Sequence, residues 1–207
     1  MTAPDTSIHL LIFAREPVLG RVKTRLAAGI GAEAALSVYR ELLAHTAQAV
    51  AEAQLPATVW LAEAPTSPLA PNEALPEWPG LPWQMQPAAD LLGARMAHAF
   101  AEAFATGATR IAIIGTDCPG LTAADLTQAF QLLTDHDVVL GPADDGGYYL
   151  LGLRQPQPVL FENKTWSTPT VFADTLADAQ RLGFRTALLP TLHDVDSAAD
   201  LARWRAG

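Results

Sequence analysis

The sequence predicts an α/β fold built on a largely parallel sheet, and three observations predict it. Strand-like and helix-like stretches alternate along the chain. The first strand-like stretch, Ile8 to Ala14, is apolar apart from His9, the pattern of a strand covered on both faces. Polar clusters recur where such stretches end, and in open α/β sheets ligands bind beyond the carboxyl ends of the strands.

Taken in order, the first strand empties into a loop holding Arg15, Arg21, Lys23 and Arg25, four of the chain's 13 basic residues. Residues 32–53 carry Leu36, Tyr39, Leu43, Ala47 and Val50 at spacings of three and four, one face of an amphipathic helix. Thr58 to Ala62 reads as a second strand. Residues 63–82 hold Pro65, Pro68, Pro71, Pro76, Pro79 and Pro82, too many for regular structure, and form a long loop of the kind that carries lids or binding elements. Trp83 to Gln86 is a short strand. Asp90 is placed to cap a helix with Leu92, Met96, Phe100 and Phe104 on one face, closed by Gly107.

Arg110 to Gly115 is the strongest strand and ends at Thr116-Asp117-Cys118-Pro119. Thr122 and Asp125 make a capping pattern for the next helix. Asp137 to Gly141 is a strand leading into Asp144-Asp145-Gly146-Gly147, and Tyr148 to Leu153 is another. Thr168 with Pro169 starts a helix that Gly183 ends. Phe184 to Leu189 is the last strand. His193-Asp194-Val195-Asp196 follows it, and Ser197 with Asp200 caps the final helix. The expectation is one domain over residues 1–207.

Composition limits the function. With 50% hydrophobic residues the chain can bury a sizeable core. A net charge of −9 disfavours a nucleic-acid surface, which needs many clustered cations. The basic loop, a local exception, suits a small anionic ligand. The single cysteine, Cys118, excludes an intrachain disulfide and fits a reducing compartment. Without a secretory leader or a membrane span, the chain is expected to be cytoplasmic.

The basic loop reads as a phosphate clamp. Arginine offers a planar fork of donors and lysine a point charge, and both suit phosphate oxygens. Thr24 can add a hydroxyl, and Gly20 lets the backbone approach closely. The spacing is not that of a P-loop, and one glycine stands where a dinucleotide fingerprint has three. Asp117 is a candidate Mg²⁺ or Mn²⁺ ligand, since hard cations take carboxylate and phosphate oxygens together. Of Asp194 and Asp196, both in a short extended segment, at most one is expected to reach the ion. Cys118 reads as a packed residue, His193 as a structural hydrogen-bonder, and Asp145-Gly146-Gly147 as a turn. Trp166 is either a stacking surface or core.

Five ordered motifs, F-A-R-E-P-V-L-G-R-V-K-T-R-L, I-I-G-T-D-C-P-G-L, P-A-D-D-G-G-Y-Y-L-L-G-L, T-W-S-T-P-T-V and H-D-V-D-S-A-A-D-L, resemble one bacterial family of GT-A-fold glycosyltransferases, or nucleotide-diphospho-sugar transferases. That family is similar to the molybdenum-cofactor nucleotidyltransferases and phospholactate guanylyltransferase. The resemblance implies a single GT-A three-layer domain with a mostly parallel mixed sheet. It implies that Arg15, Lys23 and Arg25, with Arg95 nearby, bind the nucleotide's phosphates. It further implies that Asp117 and Asp196 hold the divalent ion, and that Asp145, Gly146 and Gly147 lie on the acceptor side with Trp166.

The leading functional expectation is metal-dependent sugar transfer from a nucleoside-diphosphate sugar to a small acceptor, with Asp145 assisting the acceptor. The alternative is nucleotidyl transfer from an NTP to a phosphorylated or carboxylate acceptor, releasing pyrophosphate. A non-catalytic nucleotide-binding module is the third. Partners are expected to be the nucleotide, the small acceptor and, as an open possibility, a second copy of the chain.

Overall fold

A computed structural model describes residues 7–64, 76–89 and 91–206. Among these residues seven strands form a single sheet: β1 (Ile8–Ala14), β2 (Ala57–Leu61), β3 (Trp83–Met85), β4 (Arg110–Ile114), β5 (Val138–Pro142), β6 (Tyr148–Leu153) and β7 (Thr186–Leu188). Their order is β3-β2-β1-β4-β6-β5-β7. Only β6 runs against its neighbours; it pairs antiparallel with β4 and β5, and every other pairing is parallel. Six strands therefore point their carboxyl ends at the same edge. The architecture is the mostly parallel, mixed α/β sheet that the sequence predicts.

The helices among the described residues are α1 (Thr24–Ile30), α2 (Ala32–Ala53), α3 (Leu92–Ala105), α4 (Ala123–Leu132), α5 (Val171–Arg181) and α6 (Ala198–Arg205), with a 3-10 turn at Pro158–Phe161. Period-two alternation sends neighbouring strand residues to opposite faces. Leu10, Ile12, Ala112 and Ile114 pack beneath α2 and α4, with Tyr39, Leu43, Leu126 and Phe130. Leu11, Ile111 and Ile113 pack on the other face beneath α3, with Met96 and Phe100. Both faces of the central strands are thus dry, which explains why those strands lack a polar side.

A third cluster positions the site. Leu26 of α1, Ala35, Val38 and Leu42 of α2, and Val195 close on one another, with Leu201 and Trp204 of α6 against them. Leu26 and Val195 are fully buried, so the basic segment and the C-terminal aspartates are held together by the apolar residues between them.

Several expected boundaries move. The strand at 184–189 shrinks to β7, and β2 begins one residue early. Residues 24–30 form α1 where a loop was expected. The helix expected to start at Thr168 and Pro169 begins at Val171, with Thr170 at its N-cap. The N-cap of α3 is Leu91; the expected cap, Asp90, lies outside the described residues. Both capping boxes form: the Thr122 and Ser197 hydroxyls accept from the Asp125 and Asp200 backbone N–H groups. Of the proline-rich loop, residues 65–75 lie outside the described residues; Trp78, in the part that follows, is buried in the core.

Candidate functional site

The carboxyl ends of β1 and β4, with the segments after β5 and β7, converge on two cavities that share a wall. The larger, about 800 Å³, is lined by Arg15, Arg21, Lys23, Thr24, Arg25 and Arg95 and floored by Asp117 and Asp196. The smaller, about 320 Å³, is lined by Asp117, Asp145, Asp194, Asp196 and Gly147, with Tyr148 and Trp166 on its apolar side. Asp117, Asp196, Arg25, Trp166 and Ser167 border both. One cavity is mainly cationic and the other mainly anionic.

Local chemistry fixes each part. The loop after β1 is pinned by Tyr39 of α2, whose hydroxyl accepts from the Arg15 N–H at 2.9 Å and donates to the Arg15 carbonyl at 3.1 Å. Tyr39 is 4% exposed, so both bonds are shielded from water. The sequence shows Tyr39 only as one member of an apolar helix face; its hydroxyl is the feature that could have marked it. The segment after β7 is pinned to the segment after β4 by the Val195 N–H donating to the Asp117 carbonyl at 3.0 Å.

The expected clamp divides into two pairs. Arg15 and Arg21 lie 3.7 and 3.8 Å from the Glu63 carboxylate, and all three side chains are more than half exposed. Lys23 and Arg25 turn the other way. The Lys23 ammonium donates to Asp117 Oδ1 at 2.6 Å and Asp196 Oδ1 at 2.8 Å, with its side chain 5% exposed. Arg25 reaches Asp196 Oδ2 at 2.6 Å. Burial alone would lower the Lys23 pKa, but the two carboxylates overcome it and hold the ammonium above its ordinary value. Lys23 sits at the α1 N-cap with φ 48°, a left-handed conformation uncommon for a residue with a side chain. Gly20, at φ 76°, shapes the turn before it and lines neither cavity. Arg95 donates its Nε to the Ala89 carbonyl at 2.7 Å.

On the acidic side, the Asp145 carboxylate accepts from the Gly147 N–H at 2.7 Å and closes the expected turn. Gly146 takes φ +90°, and a Cβ there would lie 2.0 Å from the Pro169 carbonyl oxygen, so only glycine fits. Gly146 thus meets the segment before α5 instead of the cavity. Trp166 packs closely on α3: a Cβ on Gly93 would be 2.3 Å from the indole. Asp194 and Asp196 stand two residues apart, a spacing that sends extended side chains to one face, and both line the smaller cavity, so the expectation that at most one could reach an ion does not follow from their spacing. Only Asp196 shares the Lys23 ammonium with Asp117. Burial, then Asp145 and Asp196, pushes the Asp194 carboxyl up to about 6. Cys118 is buried and its thiol is pushed far up, chiefly by burial, which fits a packed residue and not a nucleophile.

Carboxylates suited to a divalent ion are present in two arrangements, the second with a histidine. Asp117 and Asp196 converge on one cation already, the Lys23 ammonium. Asp144, His193 and Asp194 each bring one ligand atom within 4.8 Å of the others. In that second group the Arg203 guanidinium bonds to Asp144, and His193 Nδ1 lies 3.0 Å from Asp144 Oδ2. His193 is therefore engaged in hydrogen bonds, as its sequence reading expects. Among the described residues no helix is long and apolar enough to cross a membrane.

The chain matches, over residues 43–168, the family described as "Uncharacterized protein conserved in bacteria (DUF2064)". It is similar to a phosphoenolpyruvate guanylyltransferase of Chloroflexus aurantiacus, 31% identical over 82% of this chain and 79% of the relative. Among solved structures it is similar to a candidate nucleotide-diphospho-sugar transferase of Desulfovibrio desulfuricans G20, with TM-score 0.86, 30% identity, and coverage of 94% of this chain and 84% of that one. The Rv0371c protein of Mycobacterium tuberculosis H37Rv, solved in complex with manganese, shares the fold at TM-score 0.59 and 18% identity, with both chains fully covered.

Proposed function

Because the chain belongs to the DUF2064 family and, like its named relatives, is a transferase, we propose that it transfers a nucleotidyl group from a nucleoside triphosphate to a small anionic acceptor. The observation that carries this reading is the meeting of a basic cavity and an acidic one across Asp117 and Asp196. The 31% identity to a guanylyltransferase favours it over the sugar transfer that heads the sequence expectations, and makes GTP and phosphoenolpyruvate the first pair to test.

In this reaction an acceptor oxygen attacks the α-phosphorus, the bond from that phosphorus to the bridging oxygen breaks, and pyrophosphate leaves with the electron pair. Arg15, Arg21, Lys23 and Arg25 would hold the triphosphate and the growing charge on the leaving group. Asp117 and Asp196 would hold a divalent ion, which supplies further neutralisation of that charge when bound. A phosphate or carboxylate acceptor is already an anion and needs no proton removed. Asp145, expected to assist the acceptor, is then better read as the residue that shapes the turn, through its bond to the Gly147 N–H. The smaller cavity would take the acceptor, with the divalent ion and Arg25 offsetting the repulsion between its aspartates and an anionic acceptor, and with Trp166 as the wall between the two substrates.

The test is pyrophosphate release from NTPs with Mg²⁺ or Mn²⁺, in the presence and absence of phosphoenolpyruvate. Acceptor-dependent pyrophosphate supports the reading. Release of a nucleoside diphosphate from a nucleotide sugar, with no pyrophosphate from any NTP, would restore sugar transfer, which the description of the Desulfovibrio structure keeps as the second reading.

A further inference from the structure

Lys23 stands where the metal is expected. Its ammonium lies 2.6 Å from Asp117 Oδ1 and 2.8 Å from Asp196 Oδ1, in the gap between the two oxygens that would bind the ion. Mg²⁺ holds oxygen ligands at about 2.0–2.1 Å. An ion bridging the same two oxygens would occupy that same gap, at a separation from the ammonium that two positive charges with no anion between them do not tolerate. The two cations are therefore alternatives. The lysine is no loosely tethered surface group either, with its side chain 5% exposed and its neighbours Val22 and Leu26 packed in the core.

Resting on the nucleotidyl-transfer reading, we infer that Lys23 is the resident counter-ion of Asp117 and Asp196 in the unliganded protein, and that the ion enters only as Lys23 swings out of the aspartate pair, toward the cavity that would take the nucleotide's phosphates. The side chain has a destination: Lys23 also lines the larger cavity, beside Arg15 and Arg21, where phosphate oxygens would replace the carboxylates it leaves. The exchange keeps the second carboxylate in place, because Arg25 holds the other oxygen, Asp196 Oδ2, at 2.6 Å. Charge follows the same logic. Two carboxylates and one ammonium leave the pair with one net negative charge; a divalent ion in place of the ammonium neutralises it, while the freed ammonium meets the phosphates. Metal and nucleotide then favour each other's binding, and by linkage the coupling is reciprocal.

The probe is Mn²⁺ alone with unliganded protein, free ion being counted by electron paramagnetic resonance. K23Q is expected to bind Mn²⁺ at least 10-fold more tightly than wild type, and K23Q/D117N is expected to lose that gain. Equal or weaker binding by folded K23Q, or a gain that survives D117N, overturns the inference. A second measurement uses only wild-type protein. Acetylation of Lys23, followed by peptide mass spectrometry, should be slow in the free protein and faster at saturating Mn²⁺; an unchanged rate overturns the inference even where K23Q does not fold. Pyrophosphate release by the wild-type protein separates the two claims. Turnover with no Mn²⁺ gain in K23Q refutes the exchange alone, and a Mn²⁺ gain without turnover refutes nucleotidyl transfer alone.

Discussion

Gly93→Ala is the sharpest test of the wall between the cavities. Gly93 lies in the first turn of α3, where alanine would ordinarily stabilise a helix by about 1 kcal/mol relative to glycine. Here the new Cβ would sit 2.3 Å from Cε2 and Cζ2 of Trp166, against about 3.4 Å for ordinary contact. The indole must retreat by roughly 1 Å, and it is backed by Phe161, whose ring stacks on it at 6.4 Å and 17°. Overpacking of this kind costs about 1–3 kcal/mol and outweighs the helix preference. Urea denaturation should therefore show G93A less stable than wild type. The sign should change in a Trp166→Phe background, because the smaller ring leaves room for the methyl and only the helix preference remains. Trp166 borders both cavities, so the KM values for GTP and for the acceptor should rise together in G93A and recover together in G93A/W166F. A neutral G93A, or a double variant whose effects simply add, would show that the indole is not wedged on Gly93.

Other residues make separate predictions. Asp117→Asn and Asp196→Asn should each lower the rate of pyrophosphate release by on the order of 10²-fold or more, the scale of losing one preorganised electrostatic group; near wild-type rates in either would remove that residue from the site. Tyr39→Phe strips both hydrogen bonds from the Arg15 backbone and should cost about 1–3 kcal/mol in chemical denaturation, with a raised KM for the nucleotide; an unchanged KM would show that the loop needs no such pin. For Asp194, a folded-state pKa of about 6 lies above the ordinary 3.8, so its contribution to stability is present below about pH 3.8 and is lost as pH rises through 6. Two pH units correspond to roughly 3 kcal/mol, reduced to about 1 kcal/mol because the side chain is only half-buried. In chelator, Asp194→Asn should thus flatten the fall in melting temperature between pH 4 and 6.5; a parallel fall in the variant would assign the slope to other groups.

The parts of the fold that were legible in the sequence are those with local causes. Ile8–Ala14 announces a strand buried on both faces because Leu10 and Leu11 serve opposite core clusters, and the capping boxes at Thr122 and Ser197 are short-range hydrogen-bond patterns. Misplaced elements had weaker local signals. The first turn of α1 lies among Lys23, Thr24 and Arg25, which look like loop, and only Leu26 with the cluster it joins shows why the chain coils there. The antiparallel run of β6 was not visible either, since an apolar strand carries no mark of its direction.

The site was legible as a set of residues but not as a set of contacts, and the difference is physical. Each aspartate could be placed at a strand end from its own neighbourhood. That Lys23 would abandon Arg15 and Arg21 and join Asp196, 173 residues away, depends on Val195 packing against Leu26. Those two apolar residues sit immediately beside the charged ones and are fully buried, so the core decides which charges meet. A basic loop read alone therefore looks like one clamp for one anion. In the fold it divides between Glu63 at its exposed end and the aspartate pair at its buried end. Arg15 and Arg21 sit 3.7 and 3.8 Å from Glu63, whereas Lys23 is buried and holds its aspartates at 2.6 and 2.8 Å, so the nucleotide should engage Arg15 and Arg21 before Lys23.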